Sequence, residues 1–500
     1  MSETLQKFKE YLERLSYFEH AGSQLYWDMQ TQTPEKGYSA KADAQAFIST
    51  EAFKMLTSKE YGQMLETLSE PDEFEQLDEG MKVTVRRRKK SYDEDKRIPA
   101  EFYEEMVRDQ ALSHKAWEEA KRKSDFSIFS PYLQKMIDYS RRLAAYTKPD
   151  MDVYDALLDM YEEGMDSATV DRLFTELKEG LVPLIQKIAK KPEPDRSIFE
   201  GSYDINKQRE LCAFLLDYIG FDRKAGVMGE SEHPFTMGFG PTDVRVTNHY
   251  TEKDPINAFY SIIHEGGHGI YEQGPDECYR NTDVESLNFL GLHESQSRFY
   301  ENILGRNIHF WEPIYDKVGE YLPQFKAISL EAFEKEINHV IPSCTRTEAD
   351  EITYSLHVIL RYELEKAIFR DGINADELPK LWNEKMVEML GVCPKNDAEG
   401  ILQDVHWAGG SFGYFPSYAL GNIYDGMFYE KITEELGDID TILAKGHIKD
   451  ITKWLHDKIH RYGSLYTSKE VIQRVCGKEI SAKPILKYFE EKYTRIYDLE

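Results

Sequence analysis

Apolar residues recur at helical spacing through most of this chain, and that period narrows its possible folds more than any other feature. Residues 3–20 set Leu5, Phe8, Tyr11, Leu12, Leu15 and Phe18 along one stripe. Segments 100–146, 168–191, 352–369 and 447–461 repeat the pattern, with charged residues on the opposite faces. The alternation of a half-buried strand is clear only within 233–251, where Val244 and Val246 alternate with Arg245 and Thr247. Gly238, Gly240 and Pro241 mark a turn before it. The expectation is a mainly α protein with one small β-sheet. An exposed sheet edge can hold a peptide in extended form through main-chain hydrogen bonds.

Charge narrows the partners. The chain has 62 Lys+Arg against 90 Asp+Glu, a formal charge of −28, which repels nucleic acid and anionic membranes. The basic run Arg86 to Lys90 is followed by Asp93, Glu94 and Asp95 and reads as a solvated helix face. The first residues are charged and amphipathic, unlike a signal peptide, and no run of 18 apolar residues suggests a membrane span. Cysteines at 212, 278, 344, 393 and 476 include no CxxC pair. Reduced thiols in a cytoplasmic protein are expected.

The segment SIIHEGGHGIYEQGP, residues 261–275, carries the chemistry. Asp254-Pro255 opens a helix with an N-cap acid and a proline at the first helical position, and Gly274-Pro275 ends it. His264 and His268, four apart, share one face and can reach one metal ion. Glu265 is placed to take a proton from a metal-bound water. A third histidine at metzincin spacing is absent: Tyr271 stands where that pattern needs glycine. A carboxylate on a following helix is the other solution. That helix is expected to start at Asn281-Thr282-Asp283 and to align Leu287, Leu290, Glu294, Arg298 and Glu301. Glu294 is the chosen third ligand, with Glu285 and Glu301 as competitors.

Gly266, Gly267 and Gly269 weaken this helix, each by roughly 1 kcal/mol relative to alanine. Two readings stand. Missing side chains let a backbone approach and leave room for an extended substrate, or they serve helix–helix packing alone.

Beyond these residues the chain resembles the M32 metallocarboxypeptidases, the carboxypeptidase Taq type, over essentially its whole length. The motifs are HPF at 233–235, DVRVT at 243–247, HEGGH at 264–268, HESQ at 293–296, TRTEAD at 345–350 and GILQDVHW at 400–407. WDMQTQTPEKGYSAKADA, from Trp27, is similar too. Thr345 departs from the family, which has Ile or Val there. The resemblance implies zinc on His264, His268 and Glu294, with Glu265 as general base and then acid. It also implies a helical fold with a deep groove, a small sheet beside the zinc, and a homodimer. In that frame residues 1–500 form one peptidase unit. Residues 1–195 are one groove wall, 196–430 the catalytic part and 431–500 the C-terminal helices. The KPEPD stretch at 191–195 joins the first two.

The stretch His406-Trp407-Ala408-Gly409-Gly410 is similar to that of thimet-type oligopeptidases, with a tyrosine twelve residues after the histidine. That likeness points to Tyr418 as oxyanion donor, supported by His406, with Tyr414 as the alternative. A terminal carboxylate suits the planar fork of an arginine. Arg346 is the first choice and Arg245 the second, although either could instead neutralise Asp350, Asp243 or Glu294. His233, Pro234 and Phe235 are expected to close the far end of the groove, with Asp243 and Thr247 beside them. Gln403 and Asp404 are expected to orient His406.

The function read from the sequence is a zinc carboxypeptidase acting stepwise on peptides with a free C-terminus, with cobalt or manganese able to substitute. An oligopeptidase cutting inside short peptides would use the same zinc and Glu265. A helical zinc protein that only binds peptides would not need that base.

Overall fold

The computed structural model describes residues 2–193 and 196–499, so Pro194 and Asp195 of the KPEPD stretch lie outside the described residues. Helices dominate, as the period requires. The first stripe forms Glu3–Thr31, whose start Ser2 caps through Leu5 N. Segment 100–146 breaks into Ala100–Lys123 and Ser130–Thr147. Between them Ser124 takes a left-handed conformation, φ 52°, that no helix continues. Segment 168–191 forms Ser167–Ile188 with Asp166 as its cap. Segment 352–369 forms Thr353–Lys366 and then a π turn at Ala367–Asp371. Segment 447–461 gives Ile448–Lys458.

The sheet has three strands, β1 (Gly226–Glu230), β2 (Thr236–Gly238) and β3 (Val244–Asn248), in the order β1-β3-β2. β3 pairs parallel with β1 and antiparallel with β2. Gly240, at φ +116°, makes the turn between β2 and β3. β1 escaped the sequence reading because Gly226 and Gly229 interrupt its apolar pattern.

A large apolar core runs from Phe102 to Tyr493, with side chains from both sides of residues 194–195. A smaller one packs Leu5, Phe8 and Leu12 against Leu65, Met81 and Val85. Among the described residues no helix is long and apolar enough to cross a membrane.

Two expectations need correction. The basic run is not a solvated face. Helix Glu79–Asp95 turns Arg88 onto Asp283 at 2.6 Å and lays Arg87 over the Phe289 ring at 5.0 Å. Only Arg86 and Lys90 of the five are exposed, and Lys90 pairs with Asp159 at 3.2 Å. A linear run cannot show that the partner acids come from distant segments. The second correction is the glutamate-bearing helix, which starts at Leu290 rather than near Asp283. Residues 281–286 run as turns and bends and 287–289 as irregular chain instead: Asn281 is left-handed, and the backbone N–H of Asp283 is tied to Thr84 Oγ1.

Candidate active site

Asp254 and Pro255 open the histidine helix, Pro255–Glu272, as the sequence reading expects, with the Asp254 carboxylate accepting from Asn257 N. The glycines are all buried, and they face protein. A Cβ on Gly266 would lie 2.6 Å from Ile219, and one on Gly269 2.6 Å from Phe221. A Cβ on Gly267 would lie 2.8 Å from both Gln296 O and Ser297 Cα, backbone of the glutamate helix Leu290–Arg298. The packing reading holds, and the idea that these glycines leave room for substrate is corrected. Gly267 lets the two ligand-bearing helices touch.

That contact brings the ligands together. One donor atom each from His264, His268 and Glu294 lies within 4.8 Å of the others. Glu285 is not in the set; it accepts from Asn281 N at 2.7 Å. Glu301 does not join it either, but serves it: its carboxylate accepts from His264 Nδ1 at 2.8 Å and leaves Nε2 free. His268 Nδ1 meets His293 Nδ1 at 2.6 Å, and His293 Nε2 meets Glu272 at 2.9 Å. With both rings neutral, one arrangement of protons satisfies that chain. His293 donates to Glu272 from Nε2, His268 donates from Nδ1, and His268 Nε2 keeps its lone pair. Arg298 Nε donates to one oxygen of Glu294 at 2.7 Å, while the other faces His268 Nε2 at 3.7 Å.

The charges also fit a cation. Burial works against protonation of His264, yet Glu301, Glu294 and Glu265 together draw it up to about 9. Burial, with His293 and His264 nearby, holds His268 well below the usual imidazole range. The pocket thus calls for positive charge, and two imidazole lone pairs with a carboxylate are the donor set of an open metal site.

Glu265 lies beside the set, 7 % exposed. Burial raises its carboxyl, against the pull of His264 and a hydrogen bond from Thr236 Oγ1 at 2.6 Å. Thr236, in β2, is how the small sheet reaches the chemistry. The surrounding cleft, about 990 Å³, is lined by the three candidate ligands, Glu265, Pro234, Phe235, Arg346, Tyr414 and Tyr418. His233 is exposed and not among the lining residues; its carbonyl accepts from Ser231 Oγ. Thr247 Oγ1 holds Phe235 N at 2.8 Å, and the Phe235 ring packs on Trp27.

The second-choice arginine is placed elsewhere. Arg245 grips Asp243 with two bonds of 2.9 and 2.8 Å and lies over Phe239, so both residues are spent on each other and neither lines the cleft. Gln403 and Asp404 do not bond His406 either. Asp404 takes Arg346 at 2.8 Å and fully buried Arg361 at 2.5 Å. Gln403 Oε1 accepts from Arg346 N at 3.1 Å. Two guanidiniums share one carboxylate, which leaves net positive charge beside the cleft. Arg346 Nη1 reaches Tyr354 OH at 3.1 Å, and Arg298 stacks 3.7 Å above the Tyr354 ring. Sequence reasoning missed His293, Thr236, Arg298 and Tyr354 as contributors. Their partners are remote in the chain or, for Arg298, a turn of helix away on an expected stripe.

His406 Nε2 lies 3.5 Å from Tyr418 OH. Burial, with Arg346 and Arg361 close, lowers His406 to about 4, so it is neutral near pH 7. Burial raises the Tyr418 phenol far above its usual value, so it stays an O–H donor.

Comparison with known proteins identifies the family. Residues 7–493 match the family described as Carboxypeptidase Taq (M32) metallopeptidase. The chain belongs to that family. It is 43% identical over 493 residues to Carboxypeptidase 1 of Bacillus subtilis, covering 98% of each chain. Thermostable carboxypeptidase 1 of Thermus thermophilus is 36% identical over 503 residues, again with 98% of each covered. The crystal structure of an M32 carboxypeptidase from Deinococcus radiodurans superposes with a TM-score of 0.96 at 31% identity, covering 100% of both chains. This M32 protein is therefore a metallocarboxypeptidase, a hydrolase of peptides, and a divalent metal ion is part of its chemistry.

Proposed function

We propose that the enzyme is a zinc carboxypeptidase that removes single residues in turn from free C-termini, with broad side-chain tolerance. One observation carries the reading: the cleft lined by the three candidate ligands is also lined by Arg346, a largely buried member of a cluster with excess positive charge. His264, His268 and Glu294 would hold the ion, which supplies Lewis acidity toward a carbonyl and acidifies water. Glu265, one oxygen pinned by Thr236, takes a proton from the attacking water and passes it to the leaving amine. Tyr418 donates its O–H to the oxyanion, and neutral His406 lies beside it. Arg346 binds the terminal carboxylate through the N–H groups between Nη1 and Nη2, since Asp404 takes the Nε side and Tyr354 OH the outer side of Nη1. Pro234 and Phe235 bound one end of the cleft.

The ligand set suits zinc and also accepts cobalt or manganese. The family resemblance supports a homodimer, and the few, scattered cysteines support a cytoplasmic setting. Mass spectrometry of a peptide digest tests the activity. Loss of single C-terminal residues in series is expected, abolished by chelator and by Glu265→Gln. Cleavage of a C-terminally amidated peptide as fast as its free-acid form would instead support the endo-acting reading. Arg346→Lys should raise KM for free-acid peptides by tenfold or more while sparing metal content. An unchanged KM would remove Arg346 from carboxylate binding.

A further inference from the structure

The turn at residues 159–164 lies between helices Val153–Leu158 and Ser167–Ile188, in the half of the chain that supplies no ligand. It is built from both sides. Lys148 and Lys90 hold Asp159 at 2.6 and 3.2 Å, Asp159 accepts from Gly164 N at 2.8 Å, and Arg87 faces Glu163 at 3.5 Å. Two side chains project from it toward the active site. The Tyr161 ring meets the cleft tyrosine Tyr414 edge-on at 5.1 Å. Glu162, 2 % exposed, accepts from the backbone N–H of Gly291 at 3.0 Å.

Gly291 is the second residue of the glutamate helix, one turn before Glu294. That helix has Phe289 at its N-cap, with no side-chain cap of its own. Its first N–H groups need acceptors, and a buried start without them is costly. Glu162 fills the role from 129 residues away. The glycine is fitted to it: a Cβ at 291 would lie 3.1 Å from both Glu162 oxygens and meets no other group that close. The second Glu162 oxygen accepts from Ser468 and, at 3.5 Å, from Tyr424 OH. All its partners are neutral donors, and burial lifts the carboxyl to about 7. A carboxyl buried without an ion pair is costly unless hydrogen bonds offset the lost hydration, and here Gly291, Ser468 and Tyr424 supply them.

We propose that Glu162 is a positioning residue of the metal site: by capping the glutamate helix from outside, it sets the depth at which Glu294 meets His264 and His268. The inference rests on Glu294 as the third ligand. The Asp159–Gly164 turn then joins three things, the basic helix Glu79–Asp95, the Tyr414 wall and the ligand helix. The route acts on metal binding, so it is read by affinity for the ion rather than by turnover.

Zinc affinity of the full-length apoenzyme is measured by chelator competition, with thermal unfolding of each variant alongside. Glu162→Ala is expected to weaken zinc binding by about tenfold or more. Glu162→Gln, which keeps an acceptor for Gly291, should stay within about threefold of the wild type. Gly291→Ala favours the helix locally but presses on Glu162, so it should weaken zinc binding while leaving the fold intact. It decides the question if Glu162→Ala does not fold. In the Glu162→Ala background the Gly291→Ala effect should vanish. Wild-type affinity in Gly291→Ala, or equal losses for Gln and Ala at 162, would overturn the proposal. Glu294→Ala is the control: if it binds zinc normally, the ligand assignment fails and not the capping argument.

Discussion

Two buried glutamates that shape this site, Glu162 and Glu365, are held by neutral hydrogen-bond donors rather than by ion pairs. Glu365 is fully buried and holds the loop that carries His406. It accepts from Trp407 Nε1 at 2.7 Å, Tyr154 OH at 2.7 Å and Gly413 N at 3.0 Å. Burial raises its carboxyl from 4.5 to about 7 despite those donors. The sign follows from linkage. A folded-state value above the unfolded one stabilises the protein fully below pH ~4.5, and the benefit is lost as pH rises through ~7. The span is worth roughly 3 kcal/mol. Glu365→Gln removes the titration, so wild type should lose stability relative to the variant between pH 5 and pH 8. Urea unfolding at several pH values reads this directly, and a constant gap across the range would refute it. At this scale the sequence revealed His264, Glu265 and His268, because their spacing is local. It hid Glu162 and Glu365, since an isolated glutamate carries no sign of burial.

Among elements, the contact between the histidine helix and the glutamate helix matters most. Gly267 sits against the backbone of Gln296 and Ser297, one and two residues from the Glu294 neighbour Ser295. On the far side, Ser295 Oγ donates to Asp425 at 2.6 Å, and a Cβ at Gly421 would lie 3.0 Å from Ser295 N. The glutamate helix is thus clamped on two faces and capped at its start. Gly267→Val must push it away from the histidines, at a cost of about 1–3 kcal/mol from overpacking. Zinc affinity should fall by roughly tenfold or more, and activity at saturating zinc should fall less. Chelator competition with a zinc titration of activity separates the two. Unaltered affinity would mean that the helices separate without moving Glu294. The helix start at Leu290 was not legible from the pattern, because Thr282 and Asp283 look like a cap. Tertiary bonds to Thr84 and Arg88 claim that segment instead.

Across the whole molecule, helix Glu79–Asp95 clasps the segment that leads into the ligand helix. Arg88, with 18 % of its side chain exposed, meets Asp283, with 13 %, at 2.6 Å. Arg88→Ala strands that acid in a poorly hydrated place and should cost on the order of 3 kcal/mol. A drop in Tm of a few degrees is expected for a chain this long, together with weaker zinc retention. A Tm within a degree of wild type would show that solvent reaches Asp283 after all. The helical character, the small sheet and the pair of histidines one helical turn apart were determined by the sequence alone. Each depends on a period of two to four residues, which amphipathic burial enforces wherever the chain goes. For the candidate third ligand the sequence favoured Glu294 and left Glu285 and Glu301 as competitors. The gathering of Glu294 rather than those two beside the histidines, the pairing of Arg245 with Asp243, the sharing of Asp404 by two arginines and the inward turn of the basic run were decided by tertiary structure. Those outcomes depend on which distant charges packing brings within a few ångströms, and Coulomb energy at that range is set by burial and geometry rather than by position along the chain.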